Sequence, residues 1–361
     1  FFIMKIGSGN YVEAVTQSTF AAFIGMLASM AVLAFYLWKT GMLTSILHKS
    51  TNAGEINSRA LLWDTIREAI PFIITGSAIQ LFQIIDQATF IHVMGWISKY
   101  SKSELLVQFA YFSANPNKIT MILIAVATSI GGVGIPLLTE NYVKGDFRSA
   151  ARLVQDNLSM LIFFILPATI GAVLVAEPLY TVFYGKPDGL ALGLFIFAML
   201  QTIILSLYTV LAPMIQALFQ NRKAIIYFLY GVGVKLVLQV PLIYIFKAYG
   251  PLLATTVGLI IPILLMYQEI RKVTGLNPKN LFKRSLLSVI LTVLMTIFVL
   301  VAELLIGLFF QPSGRVSSFV YIALIGGIGL AVYGGLALKV RLMDRFIGSK
   351  AASLRRRFGI K

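Results

Sequence analysis

The sequence predicts an all-α fold, a polytopic bundle of transmembrane helices, and three observations lead to that fold class. Hydrophobic residues make up 58% of the 361 residues and charged residues only 12%, whereas a soluble domain is about one quarter charged. Nine apolar segments are each about 20 residues or longer, enough to cross a hydrocarbon core of ~30 Å. The connections between these segments alternate between basic and nearly neutral. A membrane bundle explains all three observations.

The alternation of charge predicts the orientation of the bundle. The nine segments run roughly over 14–38, 69–97, 119–139, 157–177, 189–219, 224–246, 250–268, 286–310 and 316–338. The connections after the odd-numbered segments hold 22 of the 30 Lys and Arg residues, the opposite side holds seven, and one lies inside a segment. Because cytoplasmic loops retain Lys and Arg, we expect a cytoplasmic C-terminus and an outside N-terminus.

The net charge of +16 then predicts anionic membrane lipids as partners. No nucleic-acid-binding motif accompanies the charge, so nucleic acid is not expected.

The connections predict three further elements. In 39–68, apolar residues recur at near-helical spacing among charges, which predicts an amphipathic helix on the inner surface; these are Leu61, Leu62, Trp63 and Ile66. In 98–118, a short apolar helix is expected to stop at the turn residues Asn115-Pro116-Asn117. The tail 339–361 carries Arg355-Arg356-Arg357 and Lys361, which predicts an anchor on the inner leaflet.

Glycine and proline predict where the spans bend or pack. The third segment contains Gly131, Gly132, Gly134 and Pro136, and we expect this run to break the helix and act as a hinge. Five other spans contain an internal proline, which is typical of transporters that alternate between two states: Pro71, Pro167, Pro213, Pro241 and Pro262. In the ninth segment, Gly327, Ala331 and Gly335 recur every four residues, and this face is expected to pack on the eighth segment.

Lys235 is the basic residue that topology does not explain. It lies 12 positions from both Lys223 and Lys247, which is about 18 Å from either end of its span. A charge at this depth costs at least ~2.5–3.5 kcal/mol and indicates a functional site. Gly231, Lys235 and Gln239 share one helix face. Two interpretations stay open: a cation that lines a cavity and attracts an anionic group such as a phosphate, or a buried lysine paired with a carboxylate.

Asp86 is the second intramembrane charge, in the outer half of the second segment. The same helix presents a polar stripe of Gly76, Gln80, Gln83 and Gln87, with Asp86 about 60° to its side. Such a stripe is expected to face the bundle interior or water. Asp86 is interpreted as a carboxylate that accepts a coupling ion, H⁺ or Na⁺, as the partner of Lys235, or as part of a helix–helix seam.

The sequence shows no signature of an enzyme. It has no cysteine, no GxxxxGK[ST] phosphate loop, no nucleophile elbow and no HExxH. The outer connections have no paired carboxylates that would hold a divalent cation for glycosyl transfer. We therefore expect a transporter that needs neither a cofactor nor a metal.

Three stretches resemble one family of transporters. AVTQSTFAAFIG over 14–25 resembles the sixth span of bacterial polysaccharide-type flippases. Ile70-Pro71-Phe72 and Ile85-Asp86-Gln87-Ala88 resemble the seventh, and IPLLTE over 135–140, followed by Gly145-Asp146 and Arg152, resembles the end of the eighth. The chain is similar to the MOP superfamily (multidrug/oligosaccharidyl-lipid/polysaccharide exporters), and within it to the YtgP/SpoVB/MurJ-like lipid II flippases of Gram-positive bacteria.

The resemblance implies an architecture. Members have fourteen spans, with two six-helix lobes around a central cavity and two last helices that form a lipid groove. It assigns 1–38 to the sixth span, 39–68 to a cytoplasmic connection, 69–270 to the second lobe, 271–338 to the last helix pair and 339–361 to a basic cytoplasmic tail. On this view the chain is the C-terminal nine spans, and Phe1 to Ile3 are the outer end of a span whose beginning is missing.

The resemblance also implies a function. Family members move an undecaprenyl-pyrophosphate-linked sugar from the inner to the outer leaflet of the cytoplasmic membrane. We expect alternating access, with Lys235, Asp86, Gln80, Gln83 and Gln239 lining the cavity, driven by the membrane potential or an ion gradient. The alternatives are an exporter of teichoic acid or capsule units, or a cation-coupled drug exporter, against which Lys235 argues. A membrane glycosyltransferase and a structural scaffold fit less well.

Overall fold

The computed structural model describes residues 11–42 and 57–344 and five further positions of the tail, 348, 351, 353, 355 and 356. The predictions on Phe1–Ile3, Arg357 and Lys361, and part of the connection 39–68, lie outside these residues. Residues up to Arg67 and residues from Glu68 onward form two units. The described part of the first unit comprises helix α1 (Tyr11–Lys39) and the beginning of α2 (Ser58–Gly76).

The second unit is built from helices joined by short connections, and no β-strand occurs between residues 68 and 344. After α2 the helices are α3 (Ala78–Ile97), α4 (Lys102–Phe112), α5 (Ala114–Val143), α6 (Phe147–Leu174), α7 (Ala176–Tyr184), α8 (Gly189–Ala217), α9 (Asn221–Phe246), α10 (Gly250–Thr274), α11 (Pro278–Gly307) and α12 (Arg315–Lys339). A 3₁₀ turn, Lys247–Tyr249, joins α9 to α10. The all-α prediction is confirmed.

Each of the nine predicted segments coincides with helix. By length and composition, six stretches of the described residues are apolar enough to cross a membrane, and the bent pair α2–α3 makes a seventh. One of the six, Asn221–Thr274, contains both α9 and α10. These two helices pack antiparallel, because Lys235 contacts Thr255 while Gly250 lies against Ile243. This stretch therefore forms a hairpin of two helices.

The second predicted segment bends at Gly76–Ser77, not at its proline. The two halves meet at 54°, and Pro71 lies within α2. A bend frees backbone carbonyls, which in lipid need donors from neighbouring helices. Helix α8 supplies them: the Tyr208 hydroxyl donates to the carbonyl of Thr75 at 3.0 Å, and Gln216 Nε2 donates to the carbonyl of Pro71 at 3.3 Å.

Two predicted elements differ in detail. The apolar residues Leu61, Leu62, Trp63 and Ile66 lie on a helix and are exposed, but that helix is the start of α2 and runs on to Gly76. Helix α4 is present, as the apolar pattern predicted, and it begins with a capping box between Ser101 and Glu104. Its predicted stop is wrong, because Asn115-Pro116-Asn117 form the first turn of α5. Proline is tolerated there, since amide groups in a first turn have no helical acceptor.

The predicted break in the third segment is also wrong. Helix α5 is continuous through Gly131, Gly132, Gly134 and Pro136. A β-carbon on Gly131 would lie 3.2 Å from the side chain of Val210 in α8, and one on Gly134 would lie 1.9 Å from Asn157 Nδ2 in α6. These two glycines therefore let three helices approach closely. Gly132 has open space around it, and Pro136 is exposed.

The last two helices pack through a different face from the predicted one. Gly327 and Ala331 are exposed, and a β-carbon on Gly327 or Gly335 would meet nothing within 4 Å. The buried face of α12 lies two residues away in register and comprises Ser318, Ile325, Gly329, Tyr333 and Ala337. On the buried face the small residues Gly329 and Ala337 alternate with the larger Ile325 and Tyr333, so a run of small residues at four-residue spacing did not identify the packed face. The Tyr333 hydroxyl reaches the carbonyl of Phe163 in α6 at 2.8 Å and helps to fix this register.

Candidate functional site

Lys235 lies in the middle of α9 and its side chain is completely buried. Glycines make room for it. A β-carbon on Gly231 would lie 2.3 Å from the carbonyl oxygen of Gly258, and one on Gly258 would lie 3.1 Å from Cβ of Lys235. The close approach of α9 and α10 brings the lysine stem against the α10 backbone. Its ammonium group is thereby directed toward α3.

The ammonium group of Lys235 is held by three side chains from two helices, α3 and α10. Nζ donates to Asp86 Oδ1 in α3 at 2.8 Å and to Thr255 Oγ1 in α10. It also lies 4.8 Å from the centroid of the Phe82 ring, which is a cation–π distance. A buried ammonium needs such partners because removal of its hydration shell costs several kcal/mol.

Asp86 receives a second donor from α9. Gln239 Nε2 donates to Asp86 Oδ1 at 2.8 Å and to Thr89 Oγ1 at 2.9 Å. The prediction that Gly231, Lys235 and Gln239 share one face is confirmed, since all three are buried. The network therefore joins α3 to both helices of the hairpin through one carboxylate.

Of the two interpretations of Lys235, the geometry shows the ion pair. The carboxylate of Asp86 is only 10% exposed and the lysine side chain 0%, so neither presents a free charge. The expectation that Lys235 and Gln239 line a cavity is not met, because both are covered by α3 and α10. Because the side chain of Lys235 is completely buried, the phosphate of a substrate cannot reach its ammonium group in this arrangement.

A small cavity borders the pair on the side of Asp86. It has a volume of about 60 Å³ and lies between α3, α5, α8 and α10. Its polar lining includes Gln83, Asp86, Asn117, Gln201 and Thr255. The volume suffices for a few water molecules and is far below the roughly 300–1,000 Å³ of a ligand pocket. This cavity cannot admit a lipid-linked sugar.

The glutamines of the predicted stripe differ in their exposure. Gln80 and Gln87 are exposed and Gln83 is half-buried at the cavity. Gly76 is also exposed, so this face of α2 and α3 is open in the second unit. The stripe and the ion pair therefore lie on different sides of the same helix segment.

Several participants were not found from the sequence. Thr89, Thr255 and Phe82 contact the pair or its glutamine, and Gln201 donates to the carbonyl of Leu252 at 2.7 Å and to Thr256 at 2.9 Å. Threonine and phenylalanine are common in apolar spans, so nothing in the sequence marks these three residues as part of the site. Gln201 could have been found from the sequence, because it is a polar residue within an apolar span, as Gln80 and Gln83 are.

Comparison with known proteins agrees with this architecture. The family model described as "Lipid II flippase MurJ" matches residues 3–325. A curated relative, the lipid II flippase MurJ of Bacillus subtilis (strain 168), is 28% identical over 356 residues, which cover 97% of this chain and 65% of the relative. The chain thus spans a little under two thirds of that protein.

A solved structure shares the fold. It is described as "Lipid II flippase MurJ, inward closed conformation" and matches with a TM-score of 0.53 at 17% identity, over 81% of this chain and 57% of that one. The family match covers most of the chain, including helices α1 to α11 and the buried polar network described above. The chain belongs to the lipid II flippase MurJ family.

Proposed function

We propose that the full-length protein translocates an undecaprenyl-pyrophosphate-linked sugar, a lipid II-like peptidoglycan precursor, to the outer leaflet by alternating access. The observation that carries this proposal is the match of the flippase family over residues 3–325. The chain is a multi-pass bacterial membrane protein, and the abundance of Lys and Arg on one side supports a cytoplasmic C-terminus.

The proposed division of the chain follows the helices of the second unit. Residues 69–270 would form one lobe and 271–338 a lipid-facing pair, with 1–38, 39–68 and 339–361 as a preceding span, a connection and a tail. The exposed apolar side chains of α11 and α12 support the second assignment, since they offer a surface on which a polyprenyl chain can lie. They include Val293, Ile297, Leu304, Phe319 and Leu330.

The site residues take two separate roles in this proposal. The exposed stripe with Gln80 and Gln87 would border the substrate pathway, where uncharged amides can bond to sugar hydroxyls and phosphate oxygens. The Lys235–Asp86 pair would instead fix α3 to the α9–α10 hairpin, so that the lobe moves as one body.

The ion pair of Asp86 supports one of the two driving forces over the other. A coupling ion, H⁺ or Na⁺, that reached this carboxylate would have to displace the ammonium of Lys235, which lies 2.8 Å away. We therefore favour the membrane potential over an ion gradient that acts at Asp86. Flipping should then persist when Na⁺ is replaced by K⁺ at constant potential, and a complete loss would reinstate a coupling ion.

The test of the substrate is complementation in a bacterium depleted of its own lipid II flippase. The full-length gene should restore growth and the access of an external probe to lipid II in the outer leaflet. Export of teichoic acid or capsule units without restored lipid II access would replace the proposed substrate. Drug resistance alone would place the protein among the drug exporters.

Two variants separate the roles of the site residues. Gln80→Leu/Gln87→Leu should fold normally and flip poorly, because it makes the exposed stripe apolar. Lys235→Met/Asp86→Leu replaces the ion pair by apolar side chains and should retain flipping if the pair is structural. Loss of flipping by the second variant at normal expression and thermal stability would show that the charges take part in transport.

A further inference from the structure

Two open cavities adjoin at the basic end of the second unit. The first, about 510 Å³, lies where the beginning of α6 meets the connection between α10 and α11. The second, about 600 Å³, lies between the beginning of α11 and the residues that follow α12. Asn280 and Arg284 line both cavities. Basic side chains from the beginnings of α6 and α11 and from the residues that follow α12 thus meet here in space.

The lining of the two cavities is strongly cationic. It contains five basic side chains, Arg148, Arg152, Lys283, Arg284 and Arg341, and two carboxylates, Asp156 and Asp344. Both carboxylates are already engaged, Asp156 with Arg284 and Asp344 with Arg355. The other four basic side chains form no salt bridge within the described residues. The lining therefore offers an excess of positive charge to an anion.

Arg284 is suited to hold that anion. It is the most covered of the five, with a side-chain exposure of 26%. Asp156 accepts from Nη1 alone, and a guanidinium group carries five N–H donors in one plane. The remaining donors are available to a phosphate, and Asn280 supplies an amide beside them. Arginine binds phosphate well because its planar fork matches two oxygens at once.

Arg341 supports the same interpretation independently. It follows α12 at the position that closes the helix, and its φ of 59° is left-handed. The amide of Leu342 donates to the carbonyl of Ala337 at 3.0 Å, as in the helix ending that usually has glycine here. Arginine is strained in this conformation and glycine is not. The chain places a basic side chain beside the cavity where the backbone favours glycine.

The surroundings favour a lipid over a soluble anion. Phe282 is 66% exposed and Leu286 43% exposed, directly beside Lys283 and Arg284 on α11. The lipid-facing apolar surface of α11 thus begins where the cationic cavities end. An amphiphile whose phosphate lies in the cavities would place its acyl chains along this surface.

We propose that the cavities around Arg284 bind the phosphate of an anionic phospholipid from the cytoplasmic leaflet, with Lys283 and Arg341 supplying the second contact to the headgroup. This site is separate from the stripe and the ion pair of the transport proposal. A bound lipid there would hold the beginning of α11, the end of α12 and the beginning of α6 together. The lipid-facing pair would thereby be attached to the lobe.

The test uses the full-length protein in detergent. Phosphatidylglycerol and phosphatidylcholine are titrated separately, and bound lipid is counted by native mass spectrometry while the thermal midpoint is followed. Phosphatidylglycerol should bind saturably and raise the midpoint more than phosphatidylcholine. Each Lys or Arg near an anionic surface contributes about fivefold in affinity. Lys283→Gln/Arg341→Gly should therefore weaken phosphatidylglycerol binding roughly 25-fold.

The control is Arg222→Gln/Lys272→Gln, which removes two exposed charges on the same side, outside both cavities. It should change binding less than about twofold if charge acts locally. Equal loss in both variants would show diffuse attraction and overturn the site. Unchanged binding in Lys283→Gln/Arg341→Gly would also overturn it. This variant is expected to fold, since glycine relieves the left-handed position, and its lipid-free midpoint should equal or exceed that of the wild type.

A separate measurement distinguishes a phospholipid headgroup from a soluble phosphate as the ligand. Inorganic pyrophosphate at the same concentration should not raise the thermal midpoint, because it lacks acyl chains for the surface of α11. Stabilisation by pyrophosphate without stabilisation by phosphatidylglycerol would assign the site to a soluble anion and refute the proposal. The flipping assay is scored separately, so failure of the lipid site and failure of the transport proposal can be told apart.

Discussion

The α9–α10 hairpin and the α11–α12 pair are both apolar enough to cross a membrane but are stabilised in different ways. In the most apolar window of each stretch, 56% of residues are buried in Asn221–Thr274, compared with 22% in α11 and 22% in α12. The hairpin encloses a charged pair and packs backbone against backbone at Gly231 and Gly258. The last pair shows mainly apolar side chains to its surroundings.

The difference indicates which contacts hold helices together in lipid. Lipid tails are as apolar as leucine, so apolar contact alone gives little preference for a neighbouring helix. The hairpin gains specificity from close packing and from the hydrogen bonds of Lys235 and Gln239 to Asp86, which form only when α3 lies against it. The last pair has fewer such contacts, among them the bond from Tyr333 to Phe163. We expect the hairpin to be rigid and the pair to be more easily displaced.

The largest effect should come from breaking the ion pair on one side only. Lys235→Met leaves Asp86 buried without its cation, and Asp86→Leu leaves the ammonium without its carboxylate. Each should lower the free energy of unfolding by about 3–5 kcal/mol, because an uncompensated charge stays buried. Thermal denaturation of the purified protein in detergent measures this effect.

The double variant Lys235→Met/Asp86→Leu is the control for that experiment. Replacement of both partners by apolar side chains is often neutral or stabilising, so the double variant should be more stable than either single variant. If the three variants were equally unstable, shape and not charge compensation would determine the stability of the network.

A smaller effect is expected at the glycine contact of the hairpin. Gly231→Ala would place a β-carbon 2.3 Å from the carbonyl oxygen of Gly258, so the helices must separate. Overpacking of this kind costs about 1–3 kcal/mol. Gly233→Ala is the matched control, because nothing lies within 4 Å of its β-carbon, and alanine there should add roughly 0.5–1 kcal/mol of helix stability. Thermal midpoints that shift in the same direction would contradict the packing seen here.

The sequence was sufficient for the helices and for part of the site. Continuous apolar runs predict spans directly, and the depth of Lys235 made it conspicuous, because a charge in lipid requires compensation wherever the helix packs. The choice between a cavity and an ion pair depends on which helix lies opposite. Asp86 lies 149 residues away in sequence, and no local pattern specifies that distance in space.

The errors of the sequence analysis have a common physical cause. Gly131 and Gly134 were interpreted as a hinge, and Gly327 and Gly335 as a packing face, because glycine serves both purposes in membrane helices. Only the neighbouring helix decides between them: Asn157 lies against Gly134, whereas nothing lies within 4 Å of a β-carbon on Gly327. The bend at Gly76–Ser77 was missed because Pro71 was the stronger local signal.

In the last pair, the bond between Tyr333 and Phe163 offers a more modest test. Tyr333→Phe removes the hydroxyl that donates to the carbonyl of Phe163 and leaves the ring in place. A hydrogen bond between membrane helices contributes about 0.6 kcal/mol on average, and that loss should appear as a small fall in the thermal midpoint. Tyr244→Phe, on an exposed tyrosine of α9, is the control and should change nothing measurable. An equal fall in both variants would show that the bond does not attach α12 to α6.

An effect of similar small size separates the two glycine faces of α12. Gly327→Ala adds a β-carbon in open space, so it should gain the full helix propensity of alanine, roughly 0.5–1 kcal/mol. Gly329→Ala places its β-carbon 3.3 Å from Val299 of α11, and this tight contact should offset most of the same gain. Both variants gain the same helix propensity, so this gain cancels when their thermal midpoints are compared. The difference that remains measures how tightly α11 packs against α12. A destabilising Gly327→Ala would mean that the open face is covered in the assembled protein, and the last pair would then resemble the hairpin more closely than its exposed surface indicates.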